Sequence, residues 1–157
     1  MNSYPPKVVI EEQGLRDGLQ NQKKSVPTAK KLEIVGMLAD AGIKRIQVTS
    51  FVDPKRVPQM ADAEEICKGL DRSRDTLYSG LVLNTKGLER AANDVLRHVA
   101  ASISTSKTHS PKNANASLPQ ARQRIVEMIK TGKKHGLVIR GELQCVFGCR
   151  FEGRIDP

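Results

Sequence analysis

Aromatic side chains are scarce: the 157 residues hold two tyrosines, three phenylalanines and no tryptophan. Proteins that bind single-stranded nucleic acid stack bases on aromatic rings along a basic groove. Tyr4, Phe51, Tyr78, Phe147 and Phe151 are too dispersed to build one. Long apolar runs are also missing. The longest, such as residues 81–83 and 99–101, are far shorter than the ~20 residues that cross a bilayer, and the N-terminus has no apolar signal core. The expectation is a soluble, cytoplasmic protein with no membrane partner. Cysteine is rare as well. Cys67, Cys145 and Cys149 cannot all pair within one chain, and no second Cys/His pair accompanies the last two to frame a zinc ion. Reduced thiols follow.

Charge of one sign is in excess. Twenty-six Lys and Arg stand against 17 Asp and Glu, a formal net charge of +9. The basic residues are spread over Lys23-Lys24, Lys30-Lys31, Arg122-Arg124 and Lys133-Lys134 rather than gathered in one patch. That dispersal argues against a nucleic-acid partner. It suits solvated helix faces, or a funnel for an anionic substrate such as a coenzyme A thioester. A hydrophobic fraction of 38% is that of an ordinary folded domain.

Strand and helix signals alternate along the chain. Val8, Val9 and Ile10 make residues 7–12 a β-branched strand, broken by Gly14 and Gly18. Thr28 is placed to cap a helix carrying Leu32, Val35, Leu38 and Ala39, with Gly42 at a left-handed C-terminal position. Residues 43–49 form the next strand. A loop stiffened by Pro54 and Pro58 leads to a helix over 62–68, with Asp62 as cap and Gly69 as stop. A strand over 76–83, a helix over 86–95 with Leu88, Ala91, Ala92 and Val95 on one side, and a strand over 98–104 follow. Residues 105–116 read as a polar loop. Ser117 then caps a helix with Pro119 in its first turn, Gly136 ends it, and residues 137–147 form a fifth strand. Five strands alternating with four helices, without hairpin signals, imply an α/β unit with a parallel sheet. A doubly wound sheet would be complete at this length, whereas an eight-fold barrel would be cut after its fifth strand. The strand pattern does not choose between them.

In parallel β/α folds, chemistry sits in the loops beyond the strand C-termini. The first, residues 14–21, sets Arg16 and Asp17 between two glycines, followed by Gln20 and Asn21. Asp17 can offer an oxygen to a hard cation, and Arg16 can face a developing oxyanion; an Arg-Asp pair in a glycine-rich turn is the plainer alternative. The second loop begins at Thr49-Ser50. The fourth offers Lys107, His109, Lys112, Asn113 and Asn115 for a carboxylate or phosphate. On the fifth strand, alternation puts Arg140, Glu142 and Gln144 on one face.

Several separated motifs together resemble the 3-hydroxy-3-methylglutaryl-CoA lyase family, among the pyruvate carboxyltransferase-like metal-dependent barrel enzymes. They are Gly14 through Asn21, the run Thr49-Ser50-Phe51-Val52 with Pro54-Lys55 and Val57-Pro58-Gln59-Met60, Lys112-Asn113, and Arg140-Gly141 with Cys145, Gly148-Cys149 and Glu152-Gly153. The resemblance runs from Val8 to the end and implies a partial (β/α)8 barrel. It implies a carbon-carbon lyase, retro-Claisen cleavage of an acyl-CoA substrate, and a divalent metal, Mg²⁺ or Mn²⁺. By the same resemblance Asp17 is a metal ligand, Arg16 stabilises the enolate oxygen, and Gln20, Ser50, Asn113 and Arg140 lie near metal or substrate. Three positions depart from the family pattern: Gln47 in place of Glu, Leu15 in place of Pro and Glu142 in place of Tyr. They fit a related lyase, or a Claisen-type acyltransferase, with a different substrate. The resemblance further implies that a His-x-His metal pair, a metal-binding amide and a catalytic cysteine lie beyond Pro157. Residues 1–157 are then expected to be the N-terminal portion of the barrel. They would be inactive alone, and completed by a C-terminal half or by self-association through open strand edges.

Overall fold

Five strands lie side by side in the order in which the chain makes them. In the computed structural model, which describes residues 5–93 and 96–156, these are β1 (Glu11–Glu12), β2 (Arg45–Ser50), β3 (Leu77–Val82), β4 (His98–Ser104) and β5 (Val138–Gln144). Every neighbouring pair is parallel. A doubly wound sheet reverses its strand order at a switch point; the order β1-β2-β3-β4-β5 has no reversal. The helices between the strands are α1 (Thr28–Asp40), α2 (Ala63–Lys68), α3 (Thr85–Asn93), α4 (His109–Ala114) and α5 (Leu118–Lys134).

The sheet curls. Four inter-strand steps would separate β1 from β5 by about 19 Å if the sheet were flat, yet Arg140 of β5 forms an ion pair with Glu11 of β1. The result is a half-barrel with two unlike faces. Outward, Ile46, Val48, Tyr78, Val82, Val99 and Ala101 pack with Val35, Ile66, Leu88, Ala91 and Met128 in one hydrophobic core. Inward, the opposite parity presents Gln47, Ser79, Ser102, Arg140 and Glu142.

Helix ends follow local rules where the partner is close in sequence. Gly42 takes φ +86°, its N–H donates to the Ala39 carbonyl at 3.0 Å, and the Ile43 N–H donates to Leu38 at 3.1 Å, the paired bonds of a Schellman ending. Ser117 and Gln120 form a reciprocal capping box at α5. The two caps expected at Thr28 and Asp62 are not formed. Instead the Thr28 hydroxyl donates to Asp62 Oδ2 at 2.8 Å, and buried Lys31 Nζ donates to Asp62 Oδ1 at 2.7 Å and to the Gln59 carbonyl at 2.6 Å. A buried ammonium demands acceptors more strongly than a helix end demands a cap.

Other expectations shift as well. The β-branched run Val8 to Ile10 lies outside any strand, at 60–74% exposure, because the register with β2 begins at Glu11 and no described strand reaches it. The polar loop after β4 contains the short helix α4. The fifth strand stops at Gln144, where Cys145 adopts φ +61°. The chain then forms an antiparallel hairpin, β6 (Gly148–Cys149) with β7 (Gly153–Arg154), that the sequence did not signal. Tyr4, Val95 and Pro157 lie outside the described residues. No helix of the described residues is long and apolar enough to cross a membrane.

Two measurements check this packing. Asp62→Ala leaves the Lys31 ammonium, which is 2% exposed, without a counter-charge and with the Gln59 carbonyl as its remaining acceptor, and is expected to lower stability by roughly 3 kcal/mol in urea denaturation. Lys31→Met in the same background should restore most of it. His98, at the start of β4, is held below the ordinary histidine value by burial and by the charge of Arg45. The unfolded chain then binds the proton more readily, so stability should fall as pH drops below about 6.5. His98→Gln should flatten the fall in stability that begins as pH drops through about 6.5.

Candidate active site at the strand ends

Beyond β1 the chain makes a single π-turn, Gly14–Gly18. The N–H groups of Arg16, Asp17 and Gly18 all point to the Gln13 carbonyl, at 3.1, 2.7 and 3.5 Å. Such one-residue expansions recur where a side chain must be re-aimed. Here Leu15 drops into the core at 2% exposure and Arg16 is buried at 9%. The Asp17 side chain stays 62% exposed.

Every guanidinium nitrogen of Arg16 is engaged. Nε donates to Gln47 Oε1 at 2.5 Å, Nη1 to Asp17 Oδ1 at 2.8 Å and Nη2 to Gln13 Oε1 at 2.7 Å. Arginine only donates, so it fixes which end of the Gln47 amide faces it. The other end, Nε2, is buried without an acceptor. Ser50 Oγ is buried and unpartnered too. Simple alternation would send Gln47 and Ser50 to opposite faces of β2. A bulge between Gln47 and Thr49 shifts the register, however, so that Gln47 pairs with Ser79 and Ser50 with Leu81. Both therefore belong to the inner face, and two buried donors there await an oxygen.

The second interior arginine is held differently. Arg140 pairs with both Glu11 and Glu142, and Glu11 also accepts the Ser79 hydroxyl at 3.1 Å. Burial opposes the charge on Arg140, but the two carboxylates outweigh it and push its pKa up. Arg140 and Glu142, which the sequence places on one face of the fifth strand, are thus one ionic cluster that closes on β1. Glu11 and Gln13 were missed. A signal was available for Glu11, a polar residue inside the strand read over 7–12; Gln13 lies beyond β1, where alternation does not mark it.

Gln20 and Asn113 meet in a cavity of about 200 Å³ lined also by Asp53, Arg56, Leu81 and Asn84. Asn113 Nδ2 donates to Gln144 Oε1 at 3.1 Å. The fourth loop is anchored from below: Glu152 accepts the Ser106 hydroxyl at 2.8 Å and the Thr108 N–H. Those bonds, Thr108 foremost, hold its carboxyl below the usual range. Cys149 is buried with its Sγ 3.1 Å from Ser106 Oγ, a packing role for the hairpin. His109 opens α4 with its Nδ1 buried and unpartnered.

As a metal site the arrangement is partial. Asp17 offers one exposed carboxylate, and among the described residues no three His, Cys, Asp or Glu side chains converge on a point that would hold an ion. Mg²⁺ or Ca²⁺ takes six or more oxygen ligands, waters among them, and Asp17 has the chemistry to supply one of them.

Five parallel strands in sequential order, curled and alternating with helices, with a buried arginine at the strand ends, are the layout of part of a β/α barrel. The HMGL-like family model matches residues 7–157, and the chain belongs to that family, whose members are in general metal-dependent. It is 40% identical over 157 residues to the mitochondrial hydroxymethylglutaryl-CoA lyase of Bos taurus, covering 100% of this chain and 48% of that protein. It is 38% identical over 155 residues to a 3-hydroxy-3-isohexenylglutaryl-CoA/hydroxy-methylglutaryl-CoA lyase of Pseudomonas aeruginosa, covering 99% and 52%. The crystal structure of the Bacillus subtilis HMG-CoA lyase superposes with a TM-score of 0.92 at 37% identity, over 98% of this chain and 51% of that one. An HMG-CoA lyase from Acinetobacter baumannii in complex with coenzyme A and 3-methylmalate gives 0.91 at 33%, over 99% and 51%. The chain spans about half the length of the curated relatives it matches.

Proposed function

We propose that this chain supplies the first five strands of a metal-dependent barrel lyase. The enzyme cleaves a 3-hydroxy-3-methylglutaryl-CoA-type thioester to acetyl-CoA and a ketoacid. The observation that carries the reading is the buried Arg16, fixed at the inner mouth beside two buried donors without acceptors, Gln47 Nε2 and Ser50 Oγ. Retro-Claisen cleavage removes the proton of the 3-hydroxyl, breaks the adjacent carbon-carbon bond and leaves a thioester enolate that must be stabilised and then protonated. Arg16 supplies positive charge and N–H donors to that enolate oxygen, in a site where an immobile donor is worth more than in water. Gln20 and Asn113 bind substrate in the cavity they share, and Ser50 donates to a substrate oxygen.

Asp17 contributes one ligand to a divalent cation, Mg²⁺ or Mn²⁺, with the remaining ligands from a C-terminal half of the barrel. When bound, the cation polarises the substrate oxygens as a Lewis acid. Arg140, neutralised by Glu11 and Glu142, shapes the floor of the substrate space rather than gripping an anion. Gln47 cannot accept a proton as a glutamate would. With Glu142, it favours a 3-hydroxyacyl-CoA whose acyl group differs from 3-hydroxy-3-methylglutaryl.

The test is a steady-state cleavage assay with Mg²⁺ or Mn²⁺ on the protein that carries this chain, following acetyl-CoA release from a panel of 3-hydroxyacyl-CoA esters. Arg16→Ala is expected to lower kcat on the order of 10²-fold or more. Residues 1–157 alone should show no turnover. An Arg16→Ala enzyme within twofold of the parent would refute the role given to Arg16, and metal-dependent turnover by residues 1–157 alone would refute the shared site.

A further inference from the structure

Resting on the lyase reading of the same site, we infer that Gln13 is a positioning residue: with Gln47 it holds Arg16 through neutral amide oxygens, so that Arg16 keeps both its place and its charge when Asp17 turns to a cation. Three acceptors hold the guanidinium, and only one of them, Asp17, is a carboxylate. Asp17 is also the exposed one, with a side chain 62% open to solvent. A cation bound at Asp17 competes electrostatically with Arg16 for that carboxylate, so the hold of Asp17 on Arg16 weakens as the metal site forms. An arginine with no other ties would then swing into solvent, as long side chains with free rotamers do. Gln47 is 0% exposed and cannot move with it. Gln13 closes the other side of the fork from the residue directly preceding the π-turn, and its backbone carbonyl is the acceptor that organises that turn.

The neutrality of both amides matters as much as their geometry. Arg140 shows the contrast, since two carboxylates take up its charge. Bonds to amide oxygens orient a guanidinium without cancelling its field, which remains available to an enolate.

Exchange of the Arg16 guanidinium N–H groups with water, followed by NMR on the ¹⁵N-labelled protein, tests the positioning without substrate. Asp17→Asn is expected to leave the exchange rate within twofold of the parent. Adding Gln13→Leu in that background should raise it at least tenfold while the backbone amide spectrum stays that of the parent; Gln13→Ser serves the same purpose should the leucine unfold the protein. Gln13→Glu, which keeps the acceptor and adds a charge, should recover the exchange protection, yet in the cleavage assay its kcat should stay at least tenfold below the parent with KM within threefold. A tenfold faster exchange in Asp17→Asn alone, unchanged exchange on losing Gln13, or full kcat in Gln13→Glu would each overturn the inference. Protection that follows this pattern in a protein with no cleavage activity would leave the positioning intact and sink the lyase reading instead.

Discussion

A guanidinium buried at the end of a strand must find acceptors for its donors, because leaving a buried charge unpaired is among the largest penalties a fold can carry. Arg16 imposes that demand here. The π-turn exists at the one place where it turns Arg16 inward and Leu15 into the core. Gln47 presents its oxygen to the arginine and so leaves its nitrogen unsatisfied. Asp17, next in sequence, is thereby kept at the rim, where a cation can reach it.

The rest of the inner face answers to a second constraint, the curl of the sheet. Polar side chains on β1, β3 and β5 would be solvated on a flat sheet. Once curled they meet, and Glu11, Ser79, Arg140 and Glu142 satisfy one another across the barrel interior. One interior arginine is thus paired with two carboxylates, while the other is tied mainly to neutral groups. The arginine whose charge is balanced by a single exposed carboxylate, rather than by two, is the one suited to a developing negative charge.

Much of this was legible in the sequence where the cause was local. The alternation of strands and helices, the left-handed glycine at 42, the capping box at Ser117 and the rim position of Arg16 and Asp17 all follow from neighbours within a few residues. What escaped depended on distant partners. Asp62 looks like a cap until Lys31 is buried beside it. Val8 to Ile10 looks like a strand until the register with β2 is known to start later. Gln47 and Ser50, three residues apart, should face opposite ways in a regular strand; a bulge defined by pairing with β3 brings them to one face. Glu142 read as a departure from a family pattern, and its partner turned out to be Glu11's partner too. The choice between barrel and doubly wound sheet needed the strand order, which no single strand encodes.

The most direct measurement is anomalous diffraction from crystals of the protein that carries this chain, grown with Mn²⁺. The metal peak should lie about 2.2 Å from an Asp17 carboxylate oxygen, on the inner side of the barrel mouth, with Arg16 still bound to Gln13 and Gln47. A peak away from Asp17, or an Arg16 turned out into solvent once the metal is in place, would contradict the site as described.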